Sequence, residues 1–199
     1  MESFFSRRNH VFLRDGLVVK RLSNPEQAGT EAGILRDYYQ AGVSVPRVYE
    51  QRDNEIIMEY VPGETIPDFL GSMGAEQDEA RLRQAAQRLY LWFKNFYEAV
   101  GYGTNAEIRG DVNGRNFIIA ENRIVSVDFE GRAFGKAEQD IGRLLAFIRT
   151  YTLSGFPVKR RFSRLFESAV VEGLLLSARE IHRQYRLERI AMRMRRGRY

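Results

Sequence analysis

The sequence predicts an α+β fold, with a small antiparallel sheet first and a mostly helical remainder. Three observations carry this expectation. Short strand-like runs bounded by turn signals fill much of the first sixty residues, around a single helix. Apolar residues spaced three and four apart dominate after that, interrupted by one small hairpin. Strands and helices do not alternate regularly, as a repeating βαβ protein requires. The expected division is a strand-rich part over 1–60 and a helical part over 61–199.

Each element has its own local reason. Val11-Phe12-Leu13 and Leu17-Val18-Val19 flank Arg14-Asp15-Gly16, and Asp-Gly is a strong tight-turn signal, so His10 to Leu22 reads as a hairpin. Glu26 to Gln40 reads as a helix, with Ile34, Leu35, Tyr38 and Tyr39 on one side and Gly42 just past its end. Val43 to Tyr49 reads as a strand entry broken by Pro46, and Glu55 to Val61 as a buried strand ended by Pro62-Gly63. Glu76 to Val100 is the clearest helix, with Leu82, Ala86, Leu89, Phe93, Phe96 and Val100 in helical register and Gly101 following. Phe117-Ile118-Ile119 and Ile124 to Val127 form the expected short hairpin. Ile141 to Tyr151 and then Phe162 to Met194 supply two or three further helices.

Composition excludes several classes of function. With 44% hydrophobic residues the chain can build a core, and no apolar run approaches the roughly 18 residues that cross a membrane. Met1 to Arg8 does not read as a secretion signal, and cytoplasmic residence is the expectation. Cysteine is absent, which excludes disulfides and thiolate metal sites. His10 and His182 are the only histidines, so a multi-His metal centre is excluded. From Lys159 to Tyr199 twelve Lys or Arg face four Glu. That tail is +8 within a chain of +5, which leaves −3 for the rest. A basic tail suggests an anionic partner, or else a solvated helix face.

The chemistry concentrates in Arg109-Gly110-Asp111-Val112-Asn113-Gly114-Arg115-Asn116 and in Val127-Asp128-Phe129-Glu130. Asp111 and Asn116 stand five residues apart, and Asp128 follows twelve residues later, past a strand-like run. Phosphoryl transfer needs a carboxylate to orient the attacking hydroxyl, and an amide and a second carboxylate to hold magnesium on the phosphates. Order and spacing suit those three groups.

These residues resemble the protein-kinase-like superfamily in its compact branch. That branch includes aminoglycoside and choline phosphotransferase-like kinases, lipopolysaccharide kinases, RIO-type kinases and the small kinase of the KEOPS tRNA-modification complex. The resemblance implies a minimal two-lobed fold and an ATP- and magnesium-dependent transfer to a hydroxyl. It implies Asp111 as the catalytic carboxylate, and Asn116 and Asp128 as magnesium ligands. Val18-Val19-Lys20-Arg21-Leu22 resembles the strand whose lysine touches phosphates; Glu31 is its candidate partner and Glu26 the competitor. Ile56 to Glu64 resembles the connection between lobes, where backbone at Glu59 and Val61 holds adenine. Asp140 resembles the aspartate that braces the catalytic loop, and equally satisfies a helix N-cap. Arg115 either approaches phosphate or faces water.

The chain also departs from that family. Arg109 stands where most relatives have His. Met1 to His10 contains no glycine, so the first strand and the phosphate-covering loop together reduce to something like Phe5-Ser6-Arg7-Arg8-Asn9. Eleven residues separate Asp128 from Asp140, too few for an activation segment, which points to a small-molecule or specialised macromolecular acceptor. Arg193 to Tyr199 is similar to the basic tail of KEOPS-associated kinases, which implies RNA or a ribonucleoprotein as partner; its charge alone also suits an acidic protein. The alternative reading is a nucleotide-binding pseudokinase or assembly module acting through that tail.

Overall fold

The computed structural model describes residues 3–4, 9–73, 78–103, 105–151 and 156–196. Its first part is an antiparallel sheet of five strands: β1 (Ser3–Phe4), β2 (His10–Arg14), β3 (Leu17–Arg21), β4 (Val48–Arg52) and β5 (Glu55–Glu59). Their order across the sheet is β1-β2-β3-β5-β4. Asp15 and Gly16 both take positive φ, the geometry of a tight hairpin turn whose twist matches its strands. The first strand lies at Ser3–Phe4, ahead of the stretch 5–9 expected to hold it, and pairs with β2; Arg7 and Arg8 lie outside the described residues.

Helix α1 (Pro25–Gln40) crosses over between β3 and β4. Asn24 caps its start by accepting from the Gln27 amide at 2.9 Å. Its end closes with Val43 N–H to Tyr38 C=O and Gly42 N–H to Tyr39 C=O, the bonding of a Schellman cap. Residues 43–47 do not form the expected strand. Pro46 lacks an amide to donate, and the Ser44 carbonyl instead accepts from Trp92 Nε1 at 2.9 Å and from Ser126 N–H at 3.1 Å. Pairing begins only at Val48.

The second part packs helices around a small sheet. Helix α2 (Ile66–Ser72) follows the two-residue strand β6 (Glu64–Thr65), and α3 is Glu79–Val100. Asp78 caps α3, so the helix starts at Glu79, three residues later than the expected Glu76, which lies outside the described residues. Strand β7 (Ala106–Ile108) pairs with β10 (Ala133–Gly135), and β8 (Phe117–Ile119) pairs with β9 (Ile124–Ser126). Helix α4 (Ala137–Thr150) starts four residues before the expected Ile141, because Lys136 and Gln139 bond each other reciprocally at its N-terminus. The long amphipathic end is two helices, α5 (Phe156–Leu174) and α6 (Ala178–Arg196).

The core runs through both parts. Trp92, Phe93 and Phe96 of α3 are buried and pack edge-on or stacked with one another and with Phe117. Phe93 also reaches Phe166 of α5, with centroids 5.8 Å apart. Each such ring stabilises the fold by about 1.5–3 kcal/mol. Helices α4 and α6 meet at Gly142, where a Cβ would stand 2.6 Å from Gln184 Cβ and 2.7 Å from the Ile181 carbonyl. Only a residue without a side chain permits that approach.

Candidate active site

The site forms where the sheet, α1 and the loop after β7 converge. Lys20 is the fourth residue of β3, paired with Val11 and Ile56 in register, and its side chain points into the interior at 6% exposure. Its ammonium donates to both oxygens of Glu31 at 2.7 Å and also contacts the Asp128 carboxylate. Glu31 rather than Glu26 is thus the partner: it lies on the inward face of α1, whereas Glu26 is exposed in the first turn. Burial pulls the Lys20 pKa down, but Glu31 and Asp128 outweigh it and hold the ammonium above its ordinary value. A second Glu31 contact, from the Phe129 amide at 3.2 Å, ties α1 to the segment after β9.

Asp128 adopts φ +67°, a left-handed conformation that costs a non-glycine residue free energy and recurs at functional sites. Arg109 is what holds it there. The guanidinium is 3% exposed and donates to Ser126 Oγ at 3.1 Å, to Val127 C=O at 2.7 Å and to Asp128 C=O at 2.9 Å. It also lies over the Phe129 ring, 3.8 Å from the centroid. Phe129 in turn meets Tyr38 of α1 edge-on at 5.1 Å. Burial lowers the Arg109 pKa against the opposing pull of Asp111, Asp140 and Asp128.

The loop bearing Asp111 is braced from below. Asp140, fully buried in α4, accepts from Arg109 N–H at 2.7 Å, Gly110 N–H at 2.9 Å and the Tyr97 hydroxyl at 3.0 Å. Burial raises its pKa, and those three donors oppose the rise. Asp140 is not the cap of α4, since Lys136 occupies that position. Gly110 takes φ +76° and passes so close to Ala133 that a Cβ would sit 2.6 Å from its methyl group. Both constraints demand glycine.

Asp111 itself is exposed. A single 3₁₀ turn, Gly114–Asn116, brings the Asn116 side chain back to it: Nδ2 donates to Asp111 Oδ2 at 3.1 Å. The Asn116 carbonyl accepts from Val127 N–H at 2.9 Å, which links the turn to the segment carrying Asp128. Lys20, Glu31, Asp128, Asn116 and Asp111 are therefore joined through direct contacts or one intervening backbone bond. Glu59 and Val61 lie apart from this cluster, at the end of β5. The Glu59 amide donates to Arg47 C=O at 2.9 Å and its carboxylate pairs with Arg123 at 2.9 Å. Val61 is buried and follows the last β5 pair, so its backbone lies beyond the sheet ladder. Arg115 bonds the Tyr151 hydroxyl and stacks over its ring at 4.9 Å.

The family model of the RIO domain matches residues 18–145, more than half of the chain. The chain belongs to the RIO domain family. The match spans Lys20 through Asp140, so every candidate residue of this RIO domain lies inside it. Solved structures share the fold. The ADP-bound aminoglycoside phosphotransferase APH(2'')-Ib superposes with a TM-score of 0.63 at 14% identity, covering 92% of this chain and 80% of that one. The gentamicin complex of APH(2'')-IIa gives 0.55 at 13% identity over 96% and 89%. A choline/ethanolamine kinase family protein from Mesorhizobium loti gives 0.50 at 15% over 96% and 79%. Identities this low carry the fold alone, and that fold is protein-kinase-like. The chain matches no curated protein.

Two features of the site had no clear sequence signal. The fourfold role of Arg109 appeared only as a departure from His. The Tyr38–Glu107–Arg132 cluster, in which Arg132 pairs with Glu107 at 2.8 Å and Tyr38 contacts the same carboxylate, joins three distant segments.

Proposed function

We propose that this RIO-domain chain is a kinase-type phosphotransferase that uses ATP with magnesium. The observation that carries the reading is the buried Lys20–Glu31 pair extended to the partly exposed Asp128, set beside the Asn116–Asp111 contact. An ammonium fixed between two carboxylates is ready to meet a third anionic partner, the nucleotide phosphates. Glu31 holds Lys20 in place. The backbone of Glu59 and Val61 takes the adenine edge.

The donor set fits magnesium. Among the described residues no three His, Cys, Asp or Glu gather to hold a metal by themselves. Asn116 and Asp128 offer two hard oxygens, which suits an ion that takes most of its remaining ligands from phosphate and water. When bound, the ion neutralises charge on the phosphates. Asp111 orients the acceptor hydroxyl and receives its proton as the oxygen attacks the γ-phosphorus and the bond to ADP breaks. Eleven residues between Asp128 and Asp140 leave no room for a peptide-docking segment, which supports a small-molecule or specialised macromolecular acceptor.

One observation favours a second reading, a nucleotide-binding pseudokinase: the β1–β2 connection contains no glycine. ADP release from ATP, measured over a panel of hydroxyl compounds, separates the two. The phosphotransferase reading expects acceptor-dependent ADP release that disappears in Asp111→Ala while nucleotide binding persists. Binding with no release for any acceptor, or release unchanged in Asp111→Ala, rejects it.

A further inference from the structure

Helix α6 has two unlike sides. Its inner side packs on α4: Ile181 is fully buried, Arg149 lies over the Tyr185 ring at 5.2 Å, and Thr150 Oγ1 bonds Met192 Sδ at 3.4 Å. Glu188 belongs to that side too, with 18% of its side chain exposed. At 100° per residue the opposite side presents Arg179, Arg183, Arg186, Leu187, Ile190, Arg193 and Met194. The three apolar members are all well exposed: Leu187 49%, Ile190 51% and Met194 64%. No acidic residue falls on that stripe, and at its border Glu180 pairs with Arg183 at 3.0 Å.

Exposed Leu or Met is ordinary singly, but here three form a row interleaved with arginines along a 19-residue helix. A second observation lies on the N-terminal half of the same helix. An open concavity of about 440 Å³ is lined by Ser177, Arg179, Glu180, Arg183 and Arg186. Just before it, Leu175 is 89% exposed and takes φ +54°.

We infer that the outer face of α6 docks on an anionic lipid bilayer surface, with Leu187, Ile190 and Met194 entering the headgroup–acyl boundary and the flanking arginines binding lipid phosphates. Charge complementarity selects an anionic partner. The apolar row selects lipid over nucleic acid, because a polyphosphate backbone offers it nothing to bury against, whereas a bilayer takes both parts of a basic amphipathic helix. The chain lies on such a surface and does not span it: among the described residues no helix is long and apolar enough to cross a membrane. Since α6 packs on α4, which carries Asp140, the docked face and the catalytic loop share one support.

Co-sedimentation of the full chain with vesicles tests this. Phosphatidylcholine vesicles are compared with vesicles containing equal phosphatidylglycerol. Binding is expected only to the anionic vesicles. It should weaken about fivefold for each of Arg183→Gln and Arg186→Gln, since an arginine near such a surface contributes about 1 kcal/mol. The triple variant Leu187→Ser/Ile190→Ser/Met194→Ser should lose roughly a hundredfold, because burying each of the three apolar groups contributes on the order of 1 kcal/mol. All of these positions are exposed, so thermal melts should match wild type. Failure to bind anionic vesicles overturns the inference. So does equal binding by the triple variant, which would mean charge attraction alone. Tighter binding to single-stranded RNA that the triple variant retains in full would assign the face to RNA.

Discussion

Replacing Arg109 by Met probes how the left-handed Asp128 is held. The wild-type guanidinium is buried and donates three hydrogen bonds, two of them to the carbonyls of Val127 and Asp128. Methionine fills similar volume but leaves both carbonyls and Ser126 Oγ without that donor. An unsatisfied buried acceptor costs about 1–3 kcal/mol, and losing the cation over Phe129 costs about 1 kcal/mol more. Relief of the buried charge offsets part of this sum, so a net loss of about 3–5 kcal/mol is expected. That is a large share of a typical domain stability of about 5–15 kcal/mol. Urea unfolding followed by circular dichroism measures it, with an unchanged denaturant slope as the check that the transition remains comparable. Arg109→Lys should fall between the two, since an ammonium lacks the fork that reaches three acceptors at once. A loss below about 1 kcal/mol in Arg109→Met would refute the reasoning, because Asp128 would then be held by something else.

Gly142→Val should cost about 1–3 kcal/mol in the same assay, by forcing α6 away from α4; wild-type stability would mean the helices are not in contact there. Alkaline stability has a defined sign. Tyr38, raised by burial and by its bond to Glu107, and Lys20, raised by Glu31 and Asp128 against burial, both keep their protons more tightly when folded. Their contribution is complete below the ordinary values near 10 and is lost as pH rises above them. Melting temperature should therefore drop steeply above about pH 10, and Tyr38→Phe should flatten the drop; an identical profile in that variant would contradict the assignment. Asp140→Asn should lower stability, because one of its two carboxylate oxygens becomes an amide donor facing backbone N–H groups at 2.7 or 2.9 Å; an unchanged melt would show the brace to be dispensable.

Much of this was legible because the signals are local. The Asp15-Gly16 turn, the α3 stripe and the hairpin of Phe117–Ile119 with the run from Ile124 depend on neighbours within a few residues, and each formed as expected. The pairing of Lys20 was legible only in part: the sequence offered Glu31 with Glu26 as competitor, and the inward position of Glu31 on α1 decides between them. Helix α2 went unread although Thr65-Ile66-Pro67-Asp68 carries a cap and an early proline, because its seven residues show too little periodicity. The β7–β10 pair escaped for another reason: three-residue strands gain their partners from tertiary placement, not from pattern. Arg109 illustrates the limit most clearly. A buried arginine is identified by the carbonyls that surround it, and those come from residues 17 to 19 positions away.

Thermal melting with nucleotide, with and without magnesium, tests the central claim most directly. For wild type, ATP at about a hundredfold excess over its Kd should stabilise by about 2.7 kcal/mol, or roughly 5–10 °C for a chain of this size. The shift should depend on magnesium and should collapse in Asp128→Asn. No magnesium-dependent shift in wild type, or the same shift in Asp128→Asn, would contradict the assignment of Asp128 and the reading built on it.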